Sequence, residues 1–202
     1  MDETNLIIDA QKGDLESFNR LVLAYQDIVY TQAFRLMGEF AAAEDTTQEA
    51  FISAYRSIRS YRGGSFKAWL LRIVTNACYD ELRRRQRRLT TPLERQDSEG
   101  EEIDSGVWLA DHEASPEEAV QRTELCYAIQ HCLDDLPIEF RSVAILVDVQ
   151  GMDYLEASKV TGIPVGTVKS RLSRARERLR HCLQGFWELL PARFRLVGEE
   201  LQ

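Results

Sequence analysis

Apolar residues recur at steps of three and four from Phe18 through Leu21, Val22, Tyr25, Ile28, Val29 and Ala33 to Leu36. This is the stripe of an amphipathic helix, and Gly38 stands where such a helix would stop. A second helix is predicted over residues 42–60, with Thr47, Phe51, Ala54, Tyr55 and Ile58 inward. A third begins after Gly63-Gly64, where Ser65 can cap it, and places Phe66, Trp69, Leu70, Ile73, Val74 and Ala77 on one side. No stretch alternates for long with the two-residue period of a strand, so the fold class expected is all-α.

Residues 115–118 read SPEE: a capping serine, a proline at the first helical position and a glutamate at the third. Together they satisfy amide groups that a helix start leaves orphaned. Further helices are expected over residues 137–150, 153–161 and 165–184. The last two have the order of a helix-turn-helix, in which Asp153 can cap a short helix and Thr161-Gly162-Ile163-Pro164 makes a tight turn. On the longer helix Val168, Leu172, Ala175 and Leu179 follow at steps of four, three and four, a core stripe.

Charge divides this pattern. Between residues 94 and 118 ten acids meet the single base Arg95, with Gly100, Ser105 and Gly106 interspersed and little apolar periodicity, which predicts a flexible linker. The organisation expected is two small helical domains, residues 1–90 and 115–184, joined by an acidic linker at 91–114 and followed by an apolar tail at 185–202. At 202 residues and 44% hydrophobic content the chain can supply both cores. The formal net charge of -8 hides two basic surfaces, because each domain ends in an arginine-rich helix. No unbroken apolar run approaches bilayer length, and the opening MDETNLIIDA carries acids where a signal peptide carries bases. A cytoplasmic protein without membrane insertion is expected.

The four cysteines, Cys78, Cys126, Cys132 and Cys182, are scattered with no CxxC pair. Neither a disulfide framework nor a zinc site is indicated, and thiols buried on helix faces are expected. The repeated dipeptides His131-Cys132 and His181-Cys182 could be drawn together as a metal site. Adjacent residues on a helix point about 100° apart and chelate poorly, so no metal and no cofactor is expected.

Two surfaces carry candidate chemistry. On the second helix of the helix-turn-helix, Ser170 and Ser173 lie opposite the core stripe, flanked by Lys169 and Arg174, with Thr167, Arg171, Arg176, Arg178 and Arg180 nearby. Small polar groups in front and long cations beside them suit a major groove, where the front reads base edges and the cations hold phosphates. On the third N-terminal helix Arg72, Asn76, Tyr79 and Arg83 share one face, and Arg84, Arg85, Arg87 and Arg88 follow. Cations, an amide and a ring on one face suit a single strand. The preceding loop, Tyr61, Arg62, Gly63, Gly64, Ser65 and Phe66, could hold a base rotated out of its stack. It could equally be a helix–helix turn whose aromatics belong to the core.

The segment AEDTTQEAFISAYRSIRSYRGGSFKAWLLRIVTNACYDELRRR, followed at a distance by GMDYLEASKVTGIPVGTVKSRLSRARERL, resembles a bacterial RNA polymerase sigma factor of the extracytoplasmic-function (ECF) group of the sigma-70 family. The resemblance covers both domains in order. It implies that the N-terminal domain (region 2) binds polymerase and captures the melted −10 element through the loop 61–66 and the face Arg72, Asn76, Tyr79 and Arg83. The C-terminal domain (region 4) would read the −35 duplex through Thr167, Lys169, Ser170, Arg171, Ser173, Arg174, Arg176 and Arg178. Asp45, Gln48, Glu49 and Phe51 match the segment that docks on the clamp helices of the polymerase's largest subunit; read alone, the acids could simply favour a helix N-terminus.

The partners implied are core RNA polymerase, promoter DNA and an anti-sigma factor. The acidic linker would lie in the polymerase's RNA path, or serve as a soluble spacer. Ala157, Ser158 and Thr161 stand where larger or more apolar residues are common in the family, which predicts looser packing there. The tail carries Phe186, Trp187, Leu189, Leu190, Phe194, Leu196 and Val197, which need burial against the chain's own domain or a partner. An enzyme is not expected, because no convergent acid, base or nucleophile set occurs. A stand-alone helix-turn-helix regulator is the competing reading, and it leaves the N-terminal surfaces without a use.

Overall fold

The computed structural model describes residues 3–90 and 116–190, with the side chains of 89–90 and 116–119 excepted. The acidic linker, the capping serine Ser115 and the tail residues Phe194, Leu196 and Val197 lie outside the described residues. All regular structure among the described residues is helical, in two domains.

The N-terminal domain holds α1 (Glu3–Lys12), α2 (Leu15–Met37), α3 (Phe40–Ser57), a 3₁₀ turn (Ile58–Ser60) and α4 (Phe66–Thr90). The Asp14 carboxylate caps α2 by accepting from the Ser17 amide at 3.0 Å. Gly38 ends α2 in the left-handed conformation at φ 77°, its amide donating back to the Phe34 carbonyl, so the stop read from the sequence has its usual physical basis. Short α1 was not foreseen. It buries Ile7 and Ala10, and its Gln11 amide donates to the carbonyls of Ile58 (3.0 Å) and Tyr61 (2.9 Å), fixing the loop that precedes α4.

The inner row of α3 keeps Ala54 and Ile58 of the expected one and departs from it at Thr47, Phe51 and Tyr55. Ala42, Ala43, Thr46, Ala50, Ala54 and Ile58 are buried, whereas Phe51 is half-buried and Tyr55 is exposed, its ring edge-on to Phe18 at 5.0 Å. Alanines on the inner face let the backbones of α2, α3 and α4 approach closely, and the larger rings then flank the contact. Leu36, Leu71 and Val74 sit at the centre, fully buried, each contributing about 1.5–3 kcal/mol by leaving water.

The C-terminal domain holds α5 (Pro116–Asp134), α6 (Ile138–Ala144) with a final π-helical turn (Ile145–Val149), α7 (Tyr154–Thr161) and α8 (Val165–Leu183), then a 3₁₀ segment (Gln184–Leu189). Asp153 and Glu156 form a reciprocal capping box on α7, and Gly162 closes that helix at φ 71°. Val168, Leu172 and Ala175 are buried as the stripe requires, with Leu179 half-buried against the same core. The expected looseness of α7 is absent. Ala157 is fully buried, the Ser158 hydroxyl donates to the Ile163 carbonyl at 2.5 Å, and Thr161 donates to the Ala157 carbonyl at 2.7 Å, so small residues permit close packing and tie the turn. In the described part of the tail, the half-buried Phe186 ring meets His131 of α5 at 5.7 Å.

The thiols correct a second expectation. Cys78 is buried as foreseen, but Cys132 and Cys182 form a disulfide between the ends of α5 and α8, their Cα atoms 5.7 Å apart. The fold brings the two His-Cys dipeptides together, and sulfur bonds to sulfur. No group of metal-binding side chains forms among the described residues.

The two domains share one continuous core. Helix α7 packs on α4, while α5 and α6 pack on α2. No helix among the described residues is long and apolar enough to cross a membrane.

Candidate nucleic-acid interface

The loop before α4 is built around aromatic burial. Phe66 is 1% exposed and packs against Tyr25, Tyr61 and Trp69 at centroid distances of 5.3–5.5 Å. Tyr61 is also buried, and its hydroxyl donates to the Gly64 carbonyl at 2.7 Å, closing the loop on itself. Both rings are thus part of the N-terminal core in this arrangement. The rim is different. Gly63 and Gly64 take φ of 94° and 97°, and nothing lies within 4 Å of where a Cβ would stand on either. Arg62 and Ser65 are exposed, and Ser65 caps α4 by accepting from the Ala68 amide at 3.1 Å.

Along α4 the predicted face divides. Arg72, Asn76 and Arg83 are exposed, and Arg83 stands 3.8 Å from Asp80. The side chains of Arg72 and Asn76 make no hydrogen bond or ion pair with another described residue. Tyr79 instead turns under the C-terminal domain, its hydroxyl donating to Ser142 Oγ at 2.6 Å, and burial pushes that hydroxyl's pKa up. Beyond it Arg85 bridges Glu39 (2.7 Å) and Glu81 (3.0 Å), and Arg84 also pairs with Glu81. Burial raises the Glu81 pKa, but the two guanidinium groups outweigh it and hold the carboxyl below its ordinary value.

Helix α8 presents the front predicted for it. Lys169, Ser170, Ser173, Arg174, Arg176 and Arg178 are exposed, while Thr167 and Arg171 are half-buried. Ser170 Oγ donates to the Thr167 carbonyl at 3.1 Å. The cations are only partly committed: Lys169 lies over the Tyr154 ring at 5.5 Å and Arg178 over Phe140 at 5.4 Å. Arg176 is held by Asp148 at 2.5 and 3.2 Å, which braces α8 on the end of α6. The side chains of Arg174 and Ser173 make no hydrogen bond or ion pair with another described residue, and both are exposed on the helix. Ser173 also lines an open basin with Tyr154, Lys169, Leu172, Arg176, Glu177 and Arg180, where three cations meet one carboxylate.

Asp45, Gln48 and Glu49 form an exposed row on α3 with Ile52, which is 51% exposed, and Phe51 sits half-buried beside them. This row lies outside the closure between the domains.

Sequence reasoning did not foresee that closure. Gln150 donates to the Ile28 carbonyl at 3.1 Å, and Lys67 Nζ donates to the Gln150 carbonyl at 2.6 Å. Arg35 and Gln130 exchange two hydrogen bonds, at 3.0 and 3.4 Å. Arg141 donates to the Leu36 carbonyl and to Asp134, each at 2.8 Å. Burial lowers the Arg141 pKa and raises that of Asp134, so desolvation outweighs their mutual attraction. These partners lie far apart in the chain and carry no local pattern.

Comparison with known proteins places this geometry in context. The family profile Sigma-70 region 2 matches residues 21–88, and Sigma-70, region 4 matches residues 126–179. The chain is 38% identical over 169 residues to the ECF RNA polymerase sigma factor SigE of Mycolicibacterium smegmatis, covering 84% of this chain and 62% of that relative. It is 37% identical over 179 residues to the ECF RNA polymerase sigma factor SigW of Bacillus subtilis, covering 88% and 95%. Among solved structures it is similar to the sigma factor RpoE of Bartonella quintana, determined with the anti-sigma factor NepR, at a TM-score of 0.64 and 28% identity over 84% of this chain and 98% of that one.

Proposed function

Since this chain belongs to the sigma-70 family of RNA polymerase sigma factors, in its ECF group, we propose that it joins core RNA polymerase and directs promoter-specific initiation. The C-terminal domain reads a −35 duplex through the front of α8. Ser170 and Ser173 approach base edges, while Lys169, Arg171, Arg174, Arg176 and Arg178 hold phosphates and Thr167 begins the contact. The N-terminal domain holds a melted −10 strand along Arg62, Gly63, Gly64 and Ser65 and the row Arg72, Asn76, Tyr79 and Arg83. Tyr61 and Phe66 support that loop from within. The exposed row Asp45, Gln48 and Glu49, backed by Phe51, meets the clamp helices of the polymerase.

The observation that carries this reading is the pairing of two different polar surfaces on separate domains. A duplex-reading helix alone would suit a stand-alone regulator; an exposed amide and guanidinium row beside an open diglycine loop would not. The closed arrangement covers Tyr79, so engagement of a −10 strand requires the domains to part. An anti-sigma factor that covers both basic faces is the partner expected, supported by the Bartonella quintana relative solved with one. The role needs no catalytic group, cofactor or metal from this chain, and its place is the cytoplasm with the polymerase. The test is co-elution with purified core polymerase. The wild-type chain co-elutes and a chain with Asp45→Lys and Glu49→Lys does not; failure of the wild type to co-elute overturns the reading.

A further inference from the structure

Helix α5 has two working faces. Gln130 and Asp134, one turn apart, face the end of α2: Gln130 exchanges hydrogen bonds with Arg35, and the Asp134 carboxylate lies where a Cβ on Gly38 would meet it at 2.9 Å. Cys132, two residues from each, points about 200° around the helix, to the opposite side. There it is bonded to Cys182 in the last turn of α8. The first and last helices of the C-terminal domain are thus tied together across 50 residues of chain, which include the whole helix-turn-helix. The DNA-reading helix is fastened to the same helix that grips the other domain.

The two sulfurs differ in access. Cys132 is 1% exposed, while Cys182 is half-exposed at the end of α8. Cys78 offers no rival, since burial pushes its thiol up to about 12 and keeps it protonated. In compartments that keep thiols reduced, disulfides are usually transient or sensing bonds.

We propose that Cys132 and Cys182 form a reversible thiol–disulfide site, oxidised by a hydroperoxide and reduced by a dithiol, whose oxidation fastens α5 between α8 and the end of α2 and holds the two domains closed. In the reduced chain the Cys182 thiolate attacks one peroxide oxygen. The O–O bond breaks, the hydroxide released takes up the proton that the Cys182 thiol had lost and leaves as water, and Cys182 becomes a sulfenic acid. The Cys132 thiol then attacks that sulfur, the S–O bond breaks and a second water leaves. In total two thiols and hydrogen peroxide give the disulfide and two waters, sulfur being oxidised and peroxide reduced. A dithiol reverses the reaction by two exchanges and is itself left as a disulfide. The consequence for promoter engagement rests on the function proposed above, because closure is what covers Tyr79.

The test uses the full chain carrying Cys126→Ser, reduced with dithiothreitol and titrated with hydrogen peroxide. Alkylation and peptide mass mapping follow the bond, and amide hydrogen exchange follows residues 28–37 and 72–83. The proposal predicts a Cys132–Cys182 cross-link that dithiothreitol reverses, with exchange at the junction slowed about fivefold or more on oxidation. Cys182→Ser, at the half-exposed position, abolishes the oxidant response, as does Cys132→Ser. Absence of the cross-link, pairing of other cysteines, or a cross-link that leaves junction exchange unchanged would each overturn it. These readouts need no polymerase, so they are separate from the sigma reading. A chain that fails to bind polymerase in both redox states defeats that reading instead.

Discussion

Tyr79 of α4 donates a hydrogen bond to Ser142 of α6 at 2.6 Å, joining the candidate single-strand face of one domain to the core of the other. The residue best suited to stack on an unpaired base is therefore committed to an internal partner. Tyr79→Phe removes the bond and keeps the ring. It is expected to weaken closure by about 1 kcal/mol, a rise of about fivefold in the open population. Faster amide exchange over residues 72–83 checks it, and Ser142→Ala is expected to match it without adding to it.

Gly38 sits at φ 77°, and a Cβ there would stand 2.9 Å from both carboxylate oxygens of Asp134. Gly38→Ala is expected to cost about 1–3 kcal/mol from left-handed strain, plus a clash with a partly buried carboxylate. Thermal unfolding of the single variant and of Gly38→Ala combined with Asp134→Ala separates the two parts. A smaller loss in the presence of Asp134→Ala shows the contact.

Two substitutions on α8 are expected to act on different properties. Leu172, 2% exposed, lies in the helix-turn-helix core, and Leu172→Ala should cost about 2–5 kcal/mol by leaving a cavity. Arg174→Ala, at an exposed site, should change stability by no more than about 0.5 kcal/mol. It should instead weaken duplex binding and lower the salt slope of affinity by about one unit. Denaturant unfolding and binding titrations at several salt concentrations check the contrast.

Glu81 supplies a pH prediction. Its folded-state pKa lies below the ordinary 4.5 because Arg85 and Arg84 outweigh the effect of burial. The unfolded chain therefore binds the proton more readily, and the pair's contribution is complete above about pH 4.5 and is lost as pH falls through the depressed value. Glu81→Gln should remove about 1 kcal/mol at neutral pH and flatten the acid limb of stability against pH. Chemical denaturation between pH 3 and pH 7 checks both.

Much of the fold could be read from the sequence because its signals are local. The Asp153 cap, the Gly162 turn and the Val168–Leu172–Ala175 stripe each depend on residues within a few positions, and all three are where the pattern puts them. On α3 the pattern finds Ala54 and Ile58 but misses Ala42, Ala43 and Ala50, because alanine carries little hydrophobic signal although it marks the close helix approach. Phe66 illustrates a different limit, since an aromatic beside a diglycine suits a base or a core equally well until its neighbours Tyr25, Tyr61 and Trp69 are placed. The Cys132–Cys182 bond and the Tyr79–Ser142 contact join residues 50 and 63 positions apart, and no periodicity reaches that far.

The most direct measurement is run-off transcription with purified core polymerase on a library of genomic promoter fragments. The account predicts transcripts from a defined subset of templates, reduced with Arg174→Ala and with Asn76→Ala. Failure of the wild-type chain to support transcripts from any template, or transcription indifferent to both substitutions, would contradict it.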